Sequence, residues 1–189
     1  MTVKIEHFVA GQPLPFRHAN TFAREQTSGS ERVRIGPRDG HRALVCALAA
    51  ELTPPYRVLY VLHTSRTDAR LGRYESPILD APALLGFFAR FGAFLAGDAR
   101  HDVWVLGDGE GEFVIWDRHD LVYAYGPIGR YVEVLEEGGL REGWPSWPVP
   151  HVHHYRAEWD AAERQMLAAF DWDYSQLRPS DVQYVPPPE

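Results

Sequence analysis

The sequence predicts an α+β fold: one domain over residues 1–189, a mainly antiparallel sheet, and helices packed on it. Three observations predict it. Residues 102–125 contain three short runs of strand-forming residues, "DVWVL", "EFVIW" and "DLVYAY", with turn residues between them. Residues 56–63, "YRVLYVLH", are apolar on both faces, as a central covered strand requires. Helix-period segments lie before and after that strand, and no strand pattern follows the meander, so a doubly wound parallel sheet is not expected.

The elements follow in order. "VKIEHFV" alternates weakly and reads as a first strand. Residues 10–31, with Pro13, Pro15 and "QTSGSE", read as loop, and "RVRI" at 32–35 as a short strand ended by Gly36 and Pro37. Asp39 is placed to cap a helix running to Leu52, with Leu44, Val45, Leu48 and Leu52 on one face. Thr53-Pro54-Pro55 stops that helix, because proline lacks the amide donor. A polar loop follows the central strand. Asp80 then caps a second helix with Pro82 in its first turn and Gly97 at its end. Its phenylalanines, Phe87, Phe88, Phe91 and Phe94, make it apolar nearly all round, which predicts burial. The meander predicts Trp104, Val114 and Val122 on adjacent antiparallel strands. A short amphipathic helix follows, with Ile128, Tyr131, Val132 and Leu135 inside. "REGWPSWPVP" reads as a stiff loop, residues 156–170 as a last helix, and 176–189 as an extended tail.

Composition limits function. The net charge of −7 repels phosphate backbones and anionic lipid, so neither nucleic acid nor a membrane is an expected partner. The single cysteine, Cys46, excludes an intrachain disulfide and fits a reducing compartment. No apolar run is long and unbroken enough to span a bilayer, and the first residues lack a signal-peptide pattern, so a cytoplasmic location is expected. Lys4 is the only lysine.

Four constellations could carry chemistry. "PHVHH" holds His151, His153 and His154; in an extended segment His151 and His153 share a face and His154 points away. Two imidazoles so placed suit zinc, which needs a further donor from elsewhere. His119, Asp117, Asp120, His63 and Glu158 are the candidates. Such a site needs neutral imidazoles, so its affinity should fall as pH drops through ~6.5. The second constellation is the loop after the central strand, where Arg66, Arg70 and Arg73 could bind an anion or pair with local carboxylates. The third is the charged turn "DRHD" with His63, Asp117, His119, Tyr123 and Tyr125 as candidate pocket residues, although no nucleophile stands at matching spacing. The fourth is "GWPSWP", whose Trp144 and Trp147 suit an interface with another protein or a cover for the core.

No P-loop, dinucleotide fingerprint, nucleophile elbow or HExxH is present, and "GDGEG" at 107–111 reads as a hairpin turn. The expectation is therefore a non-catalytic interaction protein of the accessory or immunity-like kind. The alternative is a small metal- or anion-binding enzyme built on His151, His153, the Asp117–Asp120 turn and the Arg66–Arg73 loop. Convergence of these segments around one site favours the alternative.

Overall fold

The computed structural model describes residues 3–181. In chain order the elements are β1 (Ile5–Val9), β2 (Gln12–Pro15), β3 (Thr21–Gln26), β4 (Glu31–Gly36), α1 (His41–Ala49), β5 (Arg57–Leu62), β6 (Gly72–Glu75), α2 (Ala81–Gly97), β7 (His101–Leu106), β8 (Phe113–Trp116), β9 (Val122–Tyr125), α3 (Ile128–Glu137), β10 (Arg141–Glu142), β11 (His151–His153), α4 (Asp160–Leu167) and β12 (Asp173–Ser175). A large sheet runs β10-β3-β4-β9-β8-β7-β5-β6-β12, and a small one β11-β1-β2. Pairing is antiparallel except between β10 and β3. The fold is α+β with mostly antiparallel sheets.

The meander forms as its sequence dictates. Val105 pairs with Val114, and Val114 with Ala124, while Trp116 pairs with Val122. Alternation then sorts the faces. Val58, Tyr60, Leu62, Val103, Val105, Val114, Trp116, Val122 and Ala124 point to the helices, where Leu84, Phe87, Phe88, Phe91, Phe94 and Leu95 of α2 meet them. The opposite face carries a smaller cluster of Ile115, Leu121 and Tyr123, flanked by Trp104, Phe113, Tyr125 and Trp147. Asp80 caps α2 as its position implies, its carboxylate accepting from the Ala83 amide at 2.8 Å.

A buried charge network joins α2 to α4. Arg100 is fully buried, and its guanidinium donates to both oxygens of Asp98 (2.8 and 3.0 Å) and to Glu163 of α4 (2.9 Å). Each buried charge here has an opposite charge and a hydrogen bond, which a buried ion needs.

Several expectations are corrected. Asp39 does not cap α1: Gly40 does, at φ 72°, with no side-chain bond, and Asp39 pairs with Arg17 instead. The helix ends at Ala49 rather than Leu52. Residues 10–31 are not loop but contain β2 and β3. β2 holds two prolines because it is the edge of the small sheet, where the missing amides are not needed for pairing. β6 lies within the expected polar loop, and β10, β11 and β12 follow the meander. These strands are two to four residues long, too short for a periodic signal. The last helix begins with a 3-10 turn at Ala157–Trp159 and ends at Leu167. The tail is not extended from 176: Pro179–Asp181 is a 3-10 turn, and Asp181 is buried against Arg73. Residues 182–189 lie outside the described residues. Among the described residues no helix is long and apolar enough to cross a membrane.

Phe91 is 3% exposed at the centre of the helix layer. Phe91→Ala is expected to destabilise the fold by about 3–5 kcal/mol, the cost of emptying a buried aromatic site, read from urea denaturation.

Candidate metal centre

The site begins with the turn between β8 and β9. One oxygen of Asp117 accepts from the amides of His119 (2.8 Å) and Leu121 (2.9 Å), which closes the turn. Asp120 adopts φ 58°, a left-handed conformation that aspartate tolerates. Trp116 Nε1 donates to the Asp120 carboxylate at 3.0 Å.

The outward carbonyls of the turn are bonded by residues distant in sequence. Lys4 Nζ, fully buried, donates to the Asp117 carbonyl at 2.8 Å and lies 3.4 Å from the Asp120 carboxylate and 4.4 Å from the centre of the Trp116 ring. His18 Nε2 donates to the His119 carbonyl at 2.9 Å, and His41 Nε2 to the Asp120 carbonyl at 3.0 Å. A carbonyl only accepts, so both Nε2 atoms carry the proton. Burial lowers the pKa of both rings, which favours their neutral form.

The second part of the site is β11. It pairs with β1, placing His153 opposite Ile5 and His151 opposite His7. His151 and His153 share a face, as the alternation predicts, and His154 turns the other way, towards Glu6 at 3.2 Å. The shared face looks onto His119. One ligand nitrogen from each of His119, His151 and His153 lies within 4.8 Å of the other two. The ring centres are 5.2 Å apart for His119 and His151, 4.8 Å for His119 and His153, and 4.9 Å for His151 and His153.

The Nδ1 atoms have partners, and the Nε2 atoms of His151 and His153 face each other. His151 Nδ1 donates to the Pro148 carbonyl at 2.8 Å, so its Nε2 is the unprotonated atom. His119 Nδ1 faces the Asp117 carboxylate at 3.3 Å, and His153 Nδ1 faces the Tyr155 hydroxyl at 3.3 Å. A carboxylate, a carbonyl and a hydroxyl behind three imidazoles are the outer partners that fix metal-binding tautomers. His151 Nε2 and His153 Nε2 are 3.2 Å apart. Two nitrogens of a tetrahedral zinc site with bonds of ~2.0–2.1 Å stand roughly 3.3 Å from each other.

Electrostatics favour the ligand form. Burial, then the neighbouring His119 and His151, push His153 down to about 3. Burial also lowers His151, with His119 and Arg118 adding to the effect. His153 is therefore neutral well below pH 6.5 and His151 is shifted in the same direction, so proton competition for a metal begins lower than the unperturbed value implies.

The other candidate residues are distributed as follows. His63 Nε2 lies 2.8 Å from one Asp102 oxygen, and the other oxygen accepts the Arg118 amide at 2.9 Å, so Asp102 links His63 to the turn. Glu158 is exposed on the 3-10 turn. Tyr123 and Tyr125 lie on the sheet face opposite the helices; Tyr123 is buried, and Tyr125 receives a hydrogen bond from Arg32 at 2.7 Å. The loop arginines do not join the histidines. Arg66 is 3.5 Å from Asp160, Arg70 lies over Tyr174, and Arg73, a strand residue, holds Asp181. Trp147 stacks on His119 with ring centres 4.8 Å apart, whereas Trp144 stays 57% exposed beside Arg34. Sequence reasoning missed Lys4 and Tyr155; the one available signal was that Lys4 is the sole lysine.

Two outcomes follow from this geometry. Lys4→Met removes a buried cation from its carbonyl and carboxylate, and is expected to cost about 3 kcal/mol or more in denaturant unfolding. The second concerns acid stability. His153 holds its folded pKa near 3 against 6.5 in the unfolded chain, so between those values the unfolded chain binds a proton that the fold excludes. Stability must fall as pH drops from 6.5 towards 3. His153→Gln is expected to flatten that decline in denaturation series at pH 7, 5.5 and 4.5.

No family model matches this chain, and neither a curated protein nor a solved structure matches it.

Proposed function

We propose that the protein binds a divalent transition metal, zinc by donor type, through His119, His151 and His153. The observation that supports this is the convergence of three imidazoles whose Nδ1 atoms are each taken by an outer partner. Neutral nitrogen donors suit zinc, copper, nickel and iron better than magnesium or calcium, which prefer oxygen.

Three protein donors make this the catalytic type of zinc site rather than the structural type. Structural sites close the coordination sphere with four protein ligands, whereas catalytic sites keep a position for water or substrate. A metal so held supplies Lewis acidity and a water acidic enough to act as nucleophile near neutral pH. The chain's own part is then definite. Asp117 orients the His119 ring, the Pro148 carbonyl orients His151, Trp147 covers one face of His119, and Lys4 holds the turn. This reading is the metal-binding enzyme alternative without the arginine loop, since Arg66, Arg70 and Arg73 have other partners. A second reading, an interaction module, is supported by Trp144, which keeps the exposure of an interface anchor.

The test is metal analysis and thermal melting of protein prepared without a histidine tag. One equivalent of metal, or uptake of one equivalent of zinc, is expected. Free zinc at a hundredfold excess over Kd should stabilise the fold by about 2.7 kcal/mol. His119→Ala, and His151→Ala with His153→Ala, should each abolish that gain. Equal melting of wild type and variants in zinc and in chelator would defeat the metal reading.

A further inference from the structure

A cavity of about 210 Å³ borders the far side of the turn that carries His119. Segments distant in the chain build it: residues 16–18 before β3, residues 37–40 between β4 and α1, the first turn of α1, and the C-terminal end of α2. His18 and His41 line it, and their Nε2 atoms bond the carbonyls of the turn. Val3, Phe16, Ala43 and Ala96 supply apolar wall. The volume is below the roughly 300–1,000 Å³ of sites for drug-sized molecules, so it suits a small ligand.

The charge of the cavity is the reverse of the chain's. The chain as a whole carries −7. Arg17, Arg38 and Arg42 line the cavity together with two carboxylates, Asp39 and Asp120. Both carboxylates have basic partners. Asp39 pairs with Arg17, and Asp120 lies 3.4 Å from the buried Lys4 and accepts from Trp116 Nε1 at 3.0 Å. Burial favours the neutral form of His18 and His41, so three arginines and Lys4 against two carboxylates leave an excess of two positive charges. Arg38 and Arg42 are exposed, at the mouth. Arg42 is also braced. Its stem crosses α2 at Gly92, where an added Cβ would stand 2.5 Å from its Cδ. A braced side chain loses less freedom when it binds. Positive charge in a concave site with apolar walls concentrates anions, and guanidiniums take carboxylate and phosphate oxygens by paired hydrogen bonds.

We propose that this cavity binds a small organic oxyanion, a carboxylate or phosphate head on an apolar body. Arg38 and Arg42 take the head at the mouth. The body lies against Phe16, Ala43 and Ala96. The site is built from residues other than the three histidines and does not rest on the metal reading.

The experiment is calorimetric titration of the full chain, stripped of metal with 1,10-phenanthroline and dialysed so that no metal can take the anion. Phenyl phosphate, benzoate and the neutral benzamide are titrated into wild type, Arg38→Gln, Arg42→Gln and Ala43→Leu. Wild type is expected to bind one equivalent of phenyl phosphate or benzoate, and the tighter of the two identifies the head group. Each glutamine variant should weaken that anion roughly tenfold, the value of a lost charge-assisted hydrogen bond, and benzamide should bind wild type weaker by at least as much. Ala43→Leu keeps every charge but narrows the cavity, and should weaken the anion as well. All three substituted positions are exposed, so thermal melting should show each variant folded. Absence of saturable binding of either anion to wild type would overturn the proposal. So would equal anion affinity in wild type and both glutamine variants. Unchanged affinity in Ala43→Leu would place the anion on the outer surface and overturn the cavity as its site. Benzamide binding as tightly as the anions would overturn the ligand class.

Discussion

The candidate site depends on one buried ammonium. Lys4 stands next to β1, the strand that carries β11 and its histidines, and its side chain reaches into the large sheet to the Asp117 carbonyl. Its own carbonyl accepts the amide of His154, the residue that follows β11. Lys4 therefore joins the two sheets at the point where His119 meets His151 and His153. A buried cation is tolerable only with a carbonyl, an anion and an aromatic face around it. The turn supplies all three, in Asp117, Asp120 and Trp116. The same need that keeps Lys4 satisfied thus fixes the position of the turn, and with it His119.

The turn between β8 and β9 is held from several sides. His18 bonds one of its carbonyls from the segment before β3, His41 another from the first position of α1, and Asp102 of β7 accepts from its Arg118 amide. Rigidity of this kind suits a metal centre, whose donors must be held before the ion arrives. The buried Arg100 network does similar work elsewhere, fixing α4 to the end of α2. The two networks lie along one stretch of chain, since Arg156 follows the histidine segment and bonds Asp98 and the Gly97 carbonyl.

Long or strongly patterned elements were legible in the sequence. The meander, the central strand, the four helices and the sharing of a face by His151 and His153 follow from periodicity and turn chemistry. The short strands β2, β6, β10 and β12 were not, because a few residues do not establish a period. Asp39 misled because a capping residue is judged by local spacing, and its carboxylate found a stronger partner in Arg17. The arginine loop misled for a similar reason: Arg66 and Arg73 pair with Asp160 and Asp181, which lie far along the chain.

The sequence by itself determined the fold class, the faces of the strands, the helix that forms the core and the shared face of His151 and His153. Each of these rests on interactions between near neighbours or on alternation along one strand. Only the tertiary structure decided that His119, among five candidates, is the one that meets His151 and His153, and that Lys4 is buried. The physical reason is separation along the chain. Lys4 meets Asp117 across 113 positions, and His18 meets His119 across 101. No local pattern encodes contacts that form only when two sheets close on one another.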